Sequence, residues 1–238
     1  MVVALVFAGG SGVRMGSELP KQFLEIAGKP VLAHTLSLFQ EHAKVDGIWI
    51  VAAREYFSHV RKIVVEHGIT KTCGITEGGE SAQESIYNGL KAVAEKEPTD
   101  TIVLIHDGVR PYVEPDVISA NIAGVRRNGN AITFTPCFET LVLSEDGRQI
   151  SDIPLRRMSY SAQAPQSFRL GDILGAHNRI RAAPGGYTDM VDQATICWKL
   201  GVPIHLVPGN RGNIKITTPE DIEMLSALIK WRTGSLHA

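Results

Sequence analysis

Phe7-Ala8-Gly9-Gly10-Ser11-Gly12-Val13-Arg14-Met15-Gly16-Ser17-Glu18-Leu19-Pro20-Lys21 follows directly on a valine-rich apolar run, Val2–Phe7. The run has the composition of a buried strand. The glycines behind it make a backbone that a ligand can approach closely, with successive amides able to aim at one concavity that suits phosphate oxygens. The glycines alone leave several readings open. Gly10, Gly12 and Gly16 also satisfy a GxGxxxG form of dinucleotide fingerprint, and a tight turn without any ligand calls for glycine equally. Arg14 and Lys21 discriminate between them. A dinucleotide fold sets its pyrophosphate on a helix N-terminus and needs no such pair of cations. A triphosphate under attack does need them, because charge develops as its pyrophosphate leaves. No Gly-Lys-Ser/Thr follows, so the loop is not that of a P-loop ATPase.

Outward from this loop, apolar segments alternate with segments of helical period, the pattern of βαβ units around a parallel sheet. Strands are expected at Val2–Phe7, Gly47–Ala52, Thr101–His106, Ala131–Pro136 and Pro203–Val207, and helices at Pro30–His42, Tyr56–His67, Ser81–Lys96 and Pro115–Arg127. A last helix starts at Thr218-Pro219-Glu220-Asp221, a cap followed by proline and acids. The expected fold class is α/β, a Rossmann-like and mostly parallel sheet, with residues 1–238 forming a single domain. The alternation breaks at about 139–168. There Thr140–Leu143 and Gln149–Ile153 flank the turn Glu145-Asp146-Gly147, so a β-arm is expected to project from the sheet. Open strand edges invite pairing with another chain, and a homodimer follows as an expectation.

Composition bounds the partners. A net charge of −1 over 238 residues argues against nucleic acid or an anionic membrane surface, so any polyanion must meet a local cluster of positive charge. No apolar run approaches a membrane span, and Met1-Val2-Val3 lacks the basic start of a signal peptide. Cys73, Cys137 and Cys197 are scattered, without CxxC spacing; they read as buried inert thiols in a reducing cytoplasm.

His106-Asp107-Gly108-Val109-Arg110-Pro111 sits at the carboxyl end of an expected strand, where open α/β sheets place their sites. A carboxylate there can hold Mg²⁺ while phosphate oxygens complete the octahedron, which makes Asp107 the metal candidate. Arg110 either serves a substrate phosphate or pairs with a local acid. His106 reads as a packed histidine rather than a catalyst. Gly78-Gly79-Glu80 precedes a helix whose start carries Ser85; it is either a base-reading turn or a plain loop-to-helix junction. Gly212–Thr217, with Lys215 inside it, reads as a short strand.

Five ordered motifs carry a resemblance across nearly the whole chain. AGGxGxRMG followed by PKQF, then HDGVRP, then Gln163-Ala164-Pro165-Gln166, then NIKIT, resemble the cytidylyltransferases that act on 2-C-methyl-D-erythritol 4-phosphate and on ribitol 5-phosphate. The resemblance implies a fold of the nucleotide-diphospho-sugar transferase type, an arm-mediated homodimer and Mg²⁺-dependent transfer of CMP from CTP to a sugar-alcohol phosphate. It assigns Arg14, Lys21 and Lys215 to catalysis. It assigns Ala8, Gly9, Gly10, Gly79, Glu80, Ser85 and Asp107 to the nucleotide, Asp107 also to metal. Arg110, Thr140 and Arg156 fall to the acceptor phosphate, the last two reaching over from a partner's arm. Two departures stand out: Ala82 where the family often has arginine, and Gly212 where the erythritol enzymes often have an acid. The arm reads Glu139-Thr140-Leu141-Val142 and Asp152-Ile153-Pro154-Leu155-Arg156, with Tyr160 and QAPQSF beyond. That pattern looks more like the ribitol 5-phosphate enzymes; the erythritol phosphate is the alternative. An NAD(P)-linked oxidoreductase or a silent nucleotide-binding module are the readings from other classes.

Overall fold

A computed structural model describes residues 1–9, 19–232 and 234 of the chain. Strand β1 is Val2–Phe7, as expected from its valines, and a small antiparallel pair follows, β2 (Glu25–Ile26) with β3 (Lys29–Pro30). Then come α1 (Val31–Glu41), β4 (Gly47–Ala52), α2 (Phe57–Glu66), β5 (Thr72–Glu77), α3 (Ala82–Ala94) and β6 (Ile102–Asp107). The second half contributes α4 (Pro115–Asn128), β7 (Asn130–Pro136), β8 (Tyr160–Arg169), α5 (Leu170–Ala182), α6 (Gln193–Lys199), β9 (Leu206–Pro208) and α7 (Pro219–Arg232).

Seven strands form one sheet in the order β5-β4-β1-β6-β8-β7-β9. Only β8 runs against the rest, pairing antiparallel with both β6 and β7. The alternation of side chains along β1 divides the core. Val2, Ala4 and Val6 face α1, α2 and α4, while Val3 and Leu5 face α3, α5 and α6. A third cluster joins Leu225 and Ile229 of α7 to Ile26, Val31, Tyr112 and Ile216. This cluster fixes the chain just before α7 beside the carboxyl ends of β1 and β6.

Several expectations need correction. The notional strand Gly212–Thr217 is irregular: Ile216 N–H donates to Val109 and Ile214 N–H to Gly212, so no ladder forms. The arm is less regular than a hairpin. Thr140–Leu143 and Gln149–Ile153 meet in a single bridge, Leu143 with Asp152. The turn between them is real, with Asp146 Oδ1 accepting from the amides of Arg148 and Gln149 at 2.8 and 2.9 Å and Gly147 at φ 69°. From Tyr160 onward the chain has already joined the main sheet as β8, so the projecting segment ends earlier than 168. Cys197 alone is buried, its thiol pushed up to about 11 by burial, whereas Cys73 is exposed and Cys137 intermediate.

Candidate active site

Phe7 at the end of β1 pairs with Asp107 at the end of β6, so the loops leaving both strands open on one side of the sheet. Gly108 N–H donates to the Phe7 carbonyl at 2.9 Å and holds the two exits together. Gln22 donates to the Ala8 carbonyl at 2.7 Å, and the Ala8 amide is taken by Val51, also at 2.7 Å. The Ala8 N–H is therefore committed to the sheet, which leaves Gly9 as the open backbone at the cleft. Gly10 and Arg14 lie outside the described residues.

A cleft of about 350 Å³ runs from this loop to the start of α3. Ala8, Gly9, Lys21, Gly79, Glu80, Ser85, Asp107 and Lys215 line it, eight residues assigned from the sequence. Ser81 caps α3 by accepting from Glu84 N–H at 3.1 Å, and Glu84 turns back to accept from Glu80 N–H at 3.1 Å. The Ser85 hydroxyl accepts from Gly79 N–H at 2.9 Å. A Cβ on Gly78 would stand 2.8 Å from that hydroxyl, so this approach requires glycine. The Gly78-Gly79 turn is thus shaped around Ser85 and forms one wall of the cleft.

Asp107 is the electrostatic centre. Arg110 Nε lies 2.7 Å from Oδ2 and Lys215 Nζ lies 2.6 Å from Oδ1. Burial alone would raise its pKa; Arg110 and then Lys215 outweigh burial and hold it down to about 2. Arg110 also donates from Nη1 to the Asn213 carbonyl at 2.8 Å, and Lys21 donates from Nζ to the Ile216 carbonyl at 2.8 Å. Lys21 and Arg110 are therefore tied to the irregular segment 213–216, which itself carries Lys215 to Asp107. Arg110 takes the local pairing that the sequence left open, and from there it also lines the second cavity. His106 is fully buried edge-on to Phe39, and burial pushes its pKa down to about 4, so it stays a neutral packing residue.

Side-chain amides, not a ladder, hold the segment. Asn213 Nδ2 donates to the Ala164 carbonyl at 2.6 Å, and Gln163 Nε2 donates to the Asn210 carbonyl at 3.2 Å. A Cβ on Gly212 would come within 2.8 Å of the Tyr112 ring, which explains the missing acid: the ring occupies its place. Ala82 lines both this cleft and a second cavity of about 220 Å³ that shares Phe7, Asp107 and Lys215 with it. Gln83, Gln163, Gln166 and Gln193 line that cavity together with Arg110, while Asp107 and Lys215 line both cavities. Sequence reasoning missed Gln83 and Gln193 altogether. Thr140 and Arg156 are exposed on the arm and line neither cavity of their own chain.

Among the described residues, no three His, Cys, Asp or Glu side chains converge. Asp107, the metal candidate, is a single carboxylate whose two oxygens face Arg110 and Lys215; it would fit a cation only as a minor ligand, with phosphate and water supplying the rest.

The model of the family described as IspD, 2-C-methyl-D-erythritol 4-phosphate cytidylyltransferase, matches residues 2–230. The chain belongs to this family. It is accordingly a cytidylyltransferase, and the dinucleotide reading of the glycines falls. A ribitol-5-phosphate cytidylyltransferase of Vibrio parahaemolyticus is 42% identical over 96% of both chains. A 2-C-methyl-D-erythritol 4-phosphate cytidylyltransferase of Geobacter metallireducens is 40% identical over 96% of this chain and 97% of its own. Among solved structures, the 4-diphosphocytidyl-2C-methyl-D-erythritol synthase of Anaerococcus prevotii superposes with a TM-score of 0.82 at 27% identity, covering 96% of both chains. The family's fold is the nucleotide-diphospho-sugar transferase type of α/β sheet expected from the motifs. No helix among the described residues is long and apolar enough to cross a membrane.

Proposed function

We propose that this chain transfers CMP from CTP to D-ribitol 5-phosphate, giving CDP-ribitol and pyrophosphate. The observation that carries the chemistry is the gathering of Lys21, Arg110 and Lys215 by one segment beside Asp107, where two cavities meet. The acceptor follows from the arm pattern and from the ribitol-5-phosphate enzymes at 42% and 40% identity over 96% of this chain. The erythritol phosphate enzymes at 40% supply the second reading.

The bond that forms joins an acceptor phosphate oxygen to the α-phosphorus of CTP. The bond that breaks joins that phosphorus to the bridging oxygen of pyrophosphate. A phosphate oxygen is already anionic near neutral pH, so no general base is required. What the site must supply is position and charge. Gly79, Glu80 and Ser85 hold the cytosine edge, and Gly9 and Gly10 hold the phosphates. Lys21, Lys215 and Arg14 offset the charge that grows on the pentacoordinate centre and the departing oxygens. Asp107 keeps Lys215 oriented and, with the triphosphate, would hold Mg²⁺, which neutralises the leaving pyrophosphate. Arg110, lining the second cavity beside Asp107, meets the acceptor phosphate.

Thr140 and Arg156 complete the acceptor site of a second copy. Leu143, Ile150, Ile153, Leu155 and Met158 are exposed apolar residues of the arm, and burying them between copies makes the homodimer. Residues 1–238 act as one domain with the arm as its excursion, in the cytoplasm, where CTP is made and free thiols persist. The test is pyrophosphate release from CTP and Mg²⁺, run separately with ribitol 5-phosphate and methylerythritol phosphate. Turnover with ribitol 5-phosphate is expected; turnover with methylerythritol phosphate alone would move the chain to the second reading.

A further inference from the structure

The second cavity, between α3, β8 and the start of α6, carries four carboxamides. Two are fully engaged in holding the fold. Gln166 Oε1 accepts from the amides of Gln193 and Ala194 at 3.0 and 3.1 Å, and its Nε2 donates to Asp192 Oδ2 at 2.8 Å. Asp192 in turn caps α6, Oδ1 accepting from Thr195 N–H at 2.7 Å. Gln163 donates to the carbonyls of Asn210 and Asn213 and anchors the cation-bearing segment.

The other two are not. Gln83 and Gln193 are each 3% exposed, and Gln193 Nε2 donates to Gln83 Oε1 at 2.8 Å. That single bond leaves the amino group of Gln83 and the carbonyl of Gln193 without a partner among the described residues. Neither atom is sealed in the interior, so both face the cavity that the two residues line. Flipping both amides together exchanges which residue donates but preserves one free donor and one free acceptor. Nearly buried residues seldom leave polar groups unmatched, because the lost water is not replaced.

We propose that Gln83 and Gln193 are specificity-determining residues that read the hydroxyls of the acceptor's polyol chain. This rests on the acceptor reading above and deepens it. A hydroxyl both donates and accepts, so an adjacent amide N–H and C=O match one hydroxyl or a vicinal pair. The pair is neutral, which suits the uncharged end of the acceptor. Arg110 and Lys215, which line the same cavity, suit its phosphate. Gln166 and the Asp192 cap hold Gln193 in place, while Ser81 caps the helix that holds Gln83. The two readers therefore sit on separately fixed elements, and their spacing is preset. A site built to hydrogen-bond hydroxyls discriminates against molecules that lack them.

Gln193→Leu and Gln83→Leu keep the side-chain volume and remove the hydrogen bonds. Steady-state pyrophosphate release is measured with ribitol 5-phosphate and with glycerol 3-phosphate, which lacks the distal hydroxyls. Each variant is expected to lower the kcat/KM ratio of ribitol over glycerol phosphate about tenfold, through KM for ribitol phosphate, with KM for CTP unmoved. If Q193L fails to fold, Gln193→Asn, which withdraws the amide by one carbon, is expected to show the same loss. An unchanged ratio in folded variants, or an equal rise in KM for CTP, overturns the role of this pair and leaves the acceptor reading standing. No turnover of ribitol 5-phosphate by the wild-type protein overturns both.

Discussion

Lys215 Nζ lies 2.6 Å from Asp107 Oδ1, joining the last irregular segment of the chain to the end of a central strand. Lys215→Met breaks this contact while keeping the aliphatic stem. If Lys215 acts on the transition state, kcat falls on the order of 100-fold or more with little change in KM for CTP. The same variant leaves Asp107 with Arg110 as its remaining cation, so the carboxyl pKa rises from about 2. Steady-state kinetics reads the first effect and a carboxyl-resolved NMR titration the second.

Acid should destabilise the fold well before its carboxylates protonate. Burial pushes His106 down to about 4, and burial followed by Arg181 does the same to His177. Both folded values lie below the 6.5 of a free histidine, so the unfolded chain takes up protons first as pH falls. The stability from the two neutral rings is complete above pH 6.5 and is lost progressively between 6.5 and 4. The loss is roughly 3 kcal/mol for each ring, a large part of a typical domain's stability. Urea midpoints at pH 7 and pH 5 should differ sharply, and His177→Asn should flatten the dependence by about one proton. No difference between the two midpoints would contradict the assignment.

Restoring an acid at position 212 should harm this chain. A Cβ there meets Tyr112 at 2.8 Å from Cδ1 and 2.9 Å from Cε1. Gly212→Asp is expected to cost about 1–3 kcal/mol by overpacking, visible as a lowered Tm. Tyr112→Leu made together with it should recover part of the loss. Additive effects of the two changes would show that the ring is not the cause.

The arm hypothesis makes a mixing prediction. Lys21→Ala and Arg156→Ala should each be inactive as homodimers, because each site needs one residue from either copy. Mixed and re-equilibrated, they should regain activity, since one of the two sites in a heterodimer then carries both residues. Ile153→Asp should lower the apparent mass in sedimentation. Full activity of a monomeric Ile153→Asp protein would rule out the shared site.

Much of the fold was legible because β1, β4 and α1 to α4 announce themselves by apolar period and caps. β8 was not: residues up to about 168 read as part of the arm, and the proline and polar residues of 160–169 lack a strand's apolar period. The structure accommodates them. β7 slips register between Ile132 and Phe134, next to the proline, and Thr133 Oγ1 donates to the Pro165 carbonyl at 2.6 Å. Gln163, Gln166 and Ser167 are buried because other side chains and backbone amides satisfy them. The expected strand at 212–217 failed for the converse reason. Its Ile-Lys-Ile alternation reflects one side packed on α7 and the other open to the cleft, not a ladder. The phosphate loop and HDGVRP were readable because their chemistry is local. The Gln83–Gln193 pair was not, since it spans 110 residues and only the fold brings it together.

Lys21 and the carbonyl that holds it are 195 positions apart, and Ile216, which supplies that carbonyl, is packed on α7. The segment that bears Lys215 and accepts from Lys21 and Arg110 is therefore held in place only when the final helix is there to pack against it. Chains shortened before Pro219 should remain silent even with their sheet intact.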